Sequence, residues 1–310
     1  MKLHDTQITN YLTFCKSQKC LDVKTIRAYK IDLTHFASTM PAETSLYDIA
    51  SRQIESYIAH LHSIYKPKTA KRKIASLKAF FHYCEFYEFI ERNPFDKIQI
   101  RFREPVILPK TIPLQTLELF LSTIYNQRQL ATTSYQQKNA LRDAAVIELL
   151  FATGIRISEL CSLKSCDVNL NDNFVLIYGK GSKERKLQIG NDNVLKTLNE
   201  YKNTFSNEIE NCGHFFANQS GKPLSDQSVR RMIQKYASLA GIDQHITPHM
   251  FRHTFASSLL DADVDIRYIQ EMLGHSSITT TQIYTHVTLA KQKMILTTRT
   301  TFGAPLQTVA

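Results

Sequence analysis

The chain has 310 residues, of which 43% are hydrophobic and 21% charged, and its formal net charge at pH 7 is +10. This length and composition predict two domains with real cores and exclude a disordered chain, and no run approaches the roughly 20 apolar residues that a membrane span requires. The positive charge favours a polyanionic partner, with nucleic acid ahead of anionic lipid.

The start of the chain and its cysteines indicate the compartment. Residues 1–14 lack the basic segment followed by an apolar run that marks a secretion signal, so we expect a cytoplasmic protein. The two closest cysteine pairs have C-x4-C spacing and no partner pair at zinc-finger distance, so we expect reduced thiols instead of a metal framework. The six cysteines are Cys15, Cys20, Cys84, Cys161, Cys166 and Cys212.

The first hundred residues carry apolar side chains at the three- and four-residue steps of amphipathic helices. Three segments have this pattern, at 25–38, 52–65 and 68–90, and helical patterning begins within the first dozen residues. The third helix should end close to Pro94, because proline disfavours helix for the residue before it. These segments predict an N-terminal helical domain over residues 1–100.

The start of the third helix is strongly basic, with no acidic residue between its cations. Such a run is most often a solvated helix face. The functional alternative is a helix whose first turn and cations contact DNA phosphates. The candidate DNA-binding residues are Lys66, Lys68, Lys71, Arg72, Lys73 and Lys78.

Proline-rich and polar stretches interrupt the helical patterns after this domain. Residues 101–113 contain Pro105, Pro109 and Pro113 among extended and charged residues, which predicts an interdomain linker. A second polar stretch, at 126–140, is typical of a loop.

A second domain is predicted over residues 114–310. A helical pattern breaks at Gly154 and resumes, and two short strands follow at 174–178 and 184–189, around a Gly-Lys-Gly-Ser-Lys turn. The pattern is helical again over 225–300. The predicted fold is therefore mainly α, with a helical N-terminal domain and a mixed α/β domain that contains a small antiparallel sheet.

The stretch "TPHMFRHTF", residues 247–255, places three polar side chains among residues typical of a helix core. His249, Arg252 and His253 are costly to bury unless each finds a hydrogen-bond partner. Pro248 suits the first turn of a helix. The partner is supplied either by the fold itself or by a bound ligand.

Two pairs of residues three apart share a helix face, His249 with Arg252 and Arg156 with Glu159. A carboxylate can hold a guanidinium in one orientation through a bidentate pair. Two arginines aimed at one point suit the two non-bridging oxygens of a phosphate. Each pair alone is more often an ordinary ion pair.

Lys180, His275 and Tyr284 are also ordinary when each is considered alone: a lysine in a turn, a histidine at a helix boundary and a core tyrosine. Together the motifs occur in a fixed order, "ATGIRISEL", "GKGSKER", "HMFRHTFA", "LGHSS" and "IYTH". In this order they resemble the tyrosine recombinase, or phage integrase, family, with its Xer-type and small mobile-element members. The resemblance covers essentially the whole chain.

The resemblance implies a fold of an N-terminal SAM-like, core-binding domain and a catalytic domain, which clamp duplex DNA. It also implies catalysis through a 3′-phosphotyrosyl intermediate and a free 5′-hydroxyl. The family's catalytic set falls on Arg156, Lys180, His249, Arg252, His275 and the nucleophile Tyr284, with Glu159 as the residue that orients Arg156.

The roles implied by the resemblance agree with the chemistry of these groups. His249 would be the general base for Tyr284, and Lys180 the acid for the leaving 5′-oxygen. Arg156 and Arg252 would stabilise charge on the phosphate, and His275 would donate a further hydrogen bond. We expect no cofactor, neither Mg²⁺ nor ATP.

The resemblance also implies partners. These are duplex DNA with paired recombination sites, accessory DNA-binding factors, and further copies of the chain, which is a monomer when free and a homotetramer in the synapse. A C-terminal helix at about 287–298 would dock into a neighbouring subunit. Helical patterning so near the start leaves no room for an arm-binding domain.

Several functions remain open at this point. The polar stretch at 126–140 favours a mobile-element integrase over an Xer-type chromosome or plasmid dimer resolvase. A type IB topoisomerase would share the chemistry without strand exchange, and a DNA-binding regulator would bind without cleaving. A metalloenzyme would use His249, His253 and His275, although "HMFRH" lacks the glutamate of the zinc-protease motif.

Overall fold

The computed structural model describes residues 3–41, 44–100, 109–179, 184–275 and 281. The chain separates into two compact units, Met1–Val106 and Ile107–Ala310. Two predicted catalytic residues, Lys180 and Tyr284, and the predicted helix at 287–298 lie outside the described residues. None of the helices in the described ranges is long and apolar enough to cross a membrane.

The first unit is a bundle of helices around one aromatic-rich core. Tyr11, Phe36, Phe80 and Phe81 are buried at its centre, and their rings meet edge to face. The three helices predicted for this region are confirmed. The helices are α1 (Leu3–Ser17), α2 (Val23–Thr39), α3 (Ser51–Ile64) and α4 (Pro67–Phe86), with a short 3-10 turn at Leu46–Asp48.

Helix α4 ends at Phe86, earlier than the prediction that placed its end close to Pro94. The chain turns because Glu88 adopts a left-handed conformation with φ 58°. The backbone N–H of Phe89 then donates to the carbonyl of Cys84 at 2.8 Å, which closes the end of the helix as in a Schellman motif. The left-handed Glu88 and this local hydrogen bond therefore end the helix before the chain reaches Pro94.

The second unit contains most of the helices and the sheet. Its N-terminal helices are α5 (Leu114–Gln129), α6 (Ser134–Thr153) and α7 (Ile157–Ser162). The strands are β1 (Val168–Asn169), β2 (Phe174–Tyr178) and β3 (Glu184–Gln188), preceded by a 3-10 turn at Ser165–Asp167. The remaining described helices are α8 (Asp192–Thr204), α9 (Ser206–Cys212), α10 (Asp226–Leu239), α11 (Pro248–Asp261) and α12 (Ile266–Leu273).

The prediction of a loop at 126–140 is wrong. Helix α5 continues to Gln129, and α6 starts at Ser134. Thr133 caps α6, because its hydroxyl accepts the N–H of Gln136 while the Gln136 side chain accepts the N–H of Thr133. The stretch is polar because it contains a capped, solvent-exposed helix start.

Helix α6 forms the centre of the second unit and fixes the position of Gly154. Apart from the partly exposed Arg142, its residues from Ala140 to Leu150 are buried around the whole circumference, between α5, α8 and α11. The helix ends at Gly154, whose φ of 60° reverses the chain toward α7. The break predicted at this glycine is confirmed. The turn places Arg156 at the start of α7, next to the core.

The strands form one antiparallel sheet in the order β1-β2-β3. Val175 pairs with Leu187 and Ile177 with Arg185, so Arg185 and Leu187 point to the same face of β3. The two predicted strands are confirmed, and β1 is an additional strand of two residues. The predicted fold class, mainly α in two domains with a small antiparallel sheet, is confirmed.

Candidate active site

Arg156 and Glu159 meet at the start of α7, where Arg156 precedes the first helical residue. The carboxylate of Glu159 accepts the Arg156 backbone N–H at 2.8 Å through Oε2 and its side-chain Nη1 at 2.7 Å through Oε1. Glu159 therefore caps the helix and holds the guanidinium with the same group. The single side-chain contact differs from the bidentate pair expected for these two residues.

Glu159 makes its bidentate pair with Arg185, a residue that the sequence reasoning did not single out. The Nη1 and Nη2 atoms of Arg185 donate to the two oxygens of Glu159 at 3.1 and 2.6 Å. The alternation of β3 was the available signal, because Arg185 shares its buried face with Leu187. A cation on the apolar face of a strand needs a buried partner.

The same arginines counteract the effect of burial on the pKa of Glu159. Burial by itself would raise the pKa of this carboxyl, but the hydrogen bonds from the Arg185 side chain and the Arg156 backbone, with the charge of Arg185, outweigh it and lower the pKa. Glu159 is therefore an ionised, buried anion between two cations.

Arg252, on α11, is buried and held by main-chain carbonyls. Its Nη1 donates to Gly154 at 2.8 Å, and its Nη2 donates to Leu273 at 2.6 Å. Of the two sources of partners that the sequence leaves open, the fold itself therefore supplies part of those of Arg252. Gly154 has no room for a side chain, because an added Cβ would overlap the Phe255 ring.

Three successive carbonyls at the C-terminal end of α12 each accept one guanidinium. Met272 accepts Nε of Arg185 at 2.9 Å, Leu273 accepts Arg252, and Gly274 accepts Nη2 of Arg156 at 3.4 Å. The carbonyls at the end of a helix lack intrahelical partners and carry partial negative charge, so cations are stabilised there. We call these three arginines with Glu159 the arginine cluster.

His275 follows the cluster directly, after the left-handed Gly274 that ends α12. Its Nδ1 lies 2.9 Å from the hydroxyl of Thr281. Burial and the charges of Arg252, Arg156 and Arg185 lower the pKa of His275 to about 4. The imidazole is therefore neutral at pH 7.

His249 lies on the first turn of α11 and is exposed to solvent. Partial loss of hydration, followed by the charges of Arg230, Arg252 and Arg156, lowers its pKa below the ordinary value. His253, one turn further along α11, has its pKa lowered to about 4 by burial and by His249 and Arg252. A neutral His249 can accept a proton at neutral pH.

The described ranges contain no group of three or more His, Cys, Asp or Glu side chains placed to hold one metal ion. His249, His253 and His275 all lie in these ranges, so the ligand set of the metalloenzyme alternative is not assembled.

The geometry brings together the arginines that the resemblance predicted, and the comparisons with known proteins identify the family. Residues 124–291 match the model described as the phage integrase family, and residues 8–85 match that of its N-terminal SAM-like domain. The chain belongs to the phage integrase family. The prediction of a tyrosine recombinase, an enzyme that cleaves and rejoins DNA at specific sites, is thereby confirmed.

Relatives in this family are similar to the chain over nearly their whole length. A tyrosine recombinase of Agathobacter rectalis is 68% identical over 294 residues, covering 94% of this chain and 95% of the relative. A tyrosine recombinase XerD of Listeria innocua is 34% identical over 294 residues, covering 92% of this chain and 95% of the relative.

The fold is also that of solved family members. The structure of the Tn1549 transposon integrase in complex with transposon right end DNA has a TM-score of 0.67 and 20% identity. The match covers 96% of this chain and 100% of that chain.

The basic stretch of the N-terminal unit is divided between surface and interior. Lys66, Lys68, Lys71, Arg72 and Lys78 are exposed. Lys73 is buried and donates to Asp32 on α2 at 3.3 Å. The basic run contains no acidic residue of its own, but Asp32 on α2 supplies a carboxylate for Lys73. Lys73 is therefore removed from the candidate DNA contacts.

Proposed function

We propose that this recombinase cleaves duplex DNA by attack of Tyr284 on a phosphate held by Arg156 and Arg252, and rejoins it by the reverse reaction. The observation that carries the proposal is the convergence of these arginines at the end of α12, directly before His275. Two guanidiniums that are fixed before substrate binds stabilise developing phosphate charge without reorganisation.

The histidines fit the proton transfers that this reaction needs. A tyrosine with an ordinary pKa near 10 requires a base at neutral pH, and His249 is neutral there because its pKa is lowered. We assign His249 as the general base for Tyr284. The neutral His275 donates a hydrogen bond to the phosphate, and Lys180 protonates the leaving 5′-oxygen. The roles of Lys180 and Tyr284 rest on the family resemblance.

DNA binding is assigned to both units. We propose that the exposed cations of α4 contact phosphates: Lys66, Lys68, Lys71, Arg72 and Lys78. Phosphate contacts from a helix start position a protein on the duplex without reading its sequence. The reaction takes place in the cytoplasm on two sites bound by a homotetramer, with the segment at 287–298 docked on a neighbouring subunit and with accessory DNA-binding factors.

Covalent trapping tests this function. Wild type and Tyr284→Phe are incubated with nicked duplexes that carry candidate sites from the DNA flanking the gene, and adducts are resolved on a denaturing gel. We expect an adduct in wild type that Tyr284→Phe abolishes. Tyr268→Phe is the matched control, because Tyr268 is an exposed tyrosine of α12 outside the cluster, and its adduct should persist.

Other outcomes would overturn parts of the proposal. An adduct that survives in Tyr284→Phe would assign the nucleophile to another tyrosine. Equal DNA binding by both proteins without any adduct would favour a non-catalytic DNA-binding regulator. Relaxation of supercoiled DNA without exchange between two sites would favour topoisomerase activity.

Dimer resolution of the Xer type is a second candidate for the biological role. The polar stretch that favoured a mobile-element integrase is helical at both ends, and a 34% identical relative is named XerD. Adducts on a chromosomal or plasmid resolution site, but not on the ends of a mobile element, would support this role. The opposite preference would support integration or excision.

A further inference from the structure

Arg185 lies in the interior of the arginine cluster, between Glu159 and the C-terminal end of α12. Only 9% of its side chain is exposed. Its three side-chain nitrogens are used by the protein, two by Glu159 and one by the Met272 carbonyl. A guanidinium with all its nitrogens engaged in this way is fixed in position.

Glu159 depends on Arg185 more than on Arg156. The side-chain hydrogen bond from Arg185 is the largest influence that keeps the buried carboxyl ionised. Arg156 contributes one side-chain N–H to one oxygen. Without Arg185, Glu159 would be a buried carboxylate with a single cation, and protonation would become easier.

Arg185 also joins Glu159 to the end of α12. The chain from Met272 to Gly274 accepts all three guanidiniums, so Arg185 sets the distance between α7 and the helix end that carries His275. Gly274 is shaped for this contact, because an added Cβ would lie 2.9 Å from Nη1 and 3.2 Å from Cδ of Arg185.

We propose that Arg185 is a positioning residue for the recombinase reaction: its bidentate pair with Glu159 and its bond to the Met272 carbonyl hold Arg156 at the phosphate, next to His275. The inference rests on the proposed function. Arg185 itself touches no reacting atom.

The first test measures the rate of adduct formation on a nicked duplex by Arg185→Met and Arg185→Lys. We expect a loss of about 100-fold in Arg185→Met, the size that a misplaced catalytic group costs, with duplex affinity changed less than about twofold. Arg185→Lys should keep only part of the wild-type rate, because an ammonium cannot reproduce the bidentate pair. Lys186→Met is the matched control: Lys186 is the next residue of β3, exposed, with its ammonium over the Phe174 ring. It should keep the wild-type rate.

The pH profile separates positioning from loss of structure. The charged groups that contact Glu159 within the described ranges are Arg156, from the start of α7, and Arg185, from β3. Removing Arg185 should raise the pKa of Glu159 above its wild-type value. In Arg185→Met the rate of adduct formation should therefore fall as pH drops through this new pKa, and adding Glu159→Gln to the same chain should abolish that dependence. In the Glu159→Gln background, removing Arg185 should lower the rate of adduct formation by at most about a further threefold, because Arg185 and Glu159 act through the same contact.

A glycine pair keeps the inference testable if Arg185→Met does not fold. Gly274→Ala pushes against Arg185, whereas Gly213→Ala has a similar φ, 68° against 63°, and nothing within 4 Å. Both variants carry the same backbone strain. Slower adduct formation in Gly274→Ala alone supports the positioning role.

The outcomes are distinguishable. If wild type forms an adduct and Arg185→Met forms it equally fast, this inference is overturned and the proposed function stands. An equal loss at every pH, together with lower stability, would overturn positioning in favour of a structural role. If wild type forms no adduct at all, the proposed function is overturned, and this inference with it.

Discussion

Each of the two units buries one carboxylate between two cations. In the N-terminal unit, Asp32 is 1% exposed and meets a buried Lys73 and an Arg72 that is 47% exposed. In the C-terminal unit, Glu159 is 7% exposed and meets a buried Arg185 and an Arg156 that is 35% exposed. The charge arrangement is the same in both.

The two clusters differ in what else their cations contact. The Asp32 cluster is completed by the hydroxyl of Ser76 at 2.8 Å, on the same helix as Lys73. It therefore fastens α2 to α4, and the Lys73 ammonium also lies over the ring of Tyr65 at the end of α3, 5.0 Å from its centroid. The Glu159 cluster continues to the carbonyls of α12, so it connects a strand, a helix start and a helix end. A buried ion pair can thus hold a bundle together or assemble a reaction site, according to its remaining contacts.

The largest effect on stability is expected from Asp32→Asn. It leaves the Lys73 ammonium buried without a carboxylate, and breaking a buried pair in this way costs about 3–5 kcal/mol. Urea unfolding followed by circular dichroism measures the loss, and hydrogen exchange should localise it to α2 and α4. The double variant Asp32→Asn, Lys73→Met should recover most of it. A cost no larger than that of an exposed pair, below about 1 kcal/mol, would contradict the comparison.

A buried carboxylate without a cation provides the contrast. Within the described ranges, Glu148 on α6 has hydroxyl partners, chiefly that of Tyr125, and its Oε2 has no hydrogen bond. Burial raises the pKa of Glu148 from 4.5 to about 7, opposed by a hydrogen bond with Thr197. The pKa of Glu159 moves in the opposite direction, because Glu159 has its cations.

This contrast predicts how stability depends on pH. Between about pH 4.5 and 7 the unfolded chain releases the Glu148 proton before the folded chain does, so this stabilising contribution is lost as pH rises. Glu148→Gln should remove that loss and raise the free energy of unfolding above pH 7 by about 3 kcal/mol. Unfolding curves across this range measure it, with the exposed Glu118→Gln on α5 as control. An unchanged pH dependence in Glu148→Gln would show that another group titrates.

The smallest effect is expected within the basic stretch and separates its exposed cations from its buried one. Lys71→Gln should reduce the slope of log affinity for duplex DNA against log salt concentration by about 1, with stability unchanged. Lys73→Met should instead change stability and leave the slope as it is. Salt titrations of DNA binding measure both. Equal slope changes in the two variants would restore Lys73 to the DNA contacts.

Local patterns predicted much of the fold. Apolar periodicity predicted α2 to α4, the glycine at 154 predicted a break, and two short runs around a glycine-containing turn predicted β2 and β3. The failures arise where a local signal has two interpretations. The stretch at 126–140 was taken for a loop because it is polar, although Thr133 and Gln136 form the capping box that marks a helix start.

The arginine cluster shows why the rest was harder to predict. Spacing along the chain relates Arg156 to Glu159, because they lie three residues apart. It does not relate either of them to Arg185 or Met272, since those contacts depend on how a strand and a later helix pack. The pairing of β2 with β3 shows that Arg185 shares a face with Leu187, and only the packed structure shows which carboxylate it meets.

The carbonyls at the end of α12 also determine when the arginine cluster can form during synthesis and folding. They accept side chains from positions 156, 185 and 252, so the cluster closes contacts across as many as 118 residues of chain. Contacts between distant residues form late, because the loop between them must first be ordered. During synthesis, a nascent chain that ends before Met272 has made all three arginines but lacks the carbonyls that collect them. The cluster is therefore completed only after residues 272–274 have left the ribosome, when the N-terminal unit has had time to fold.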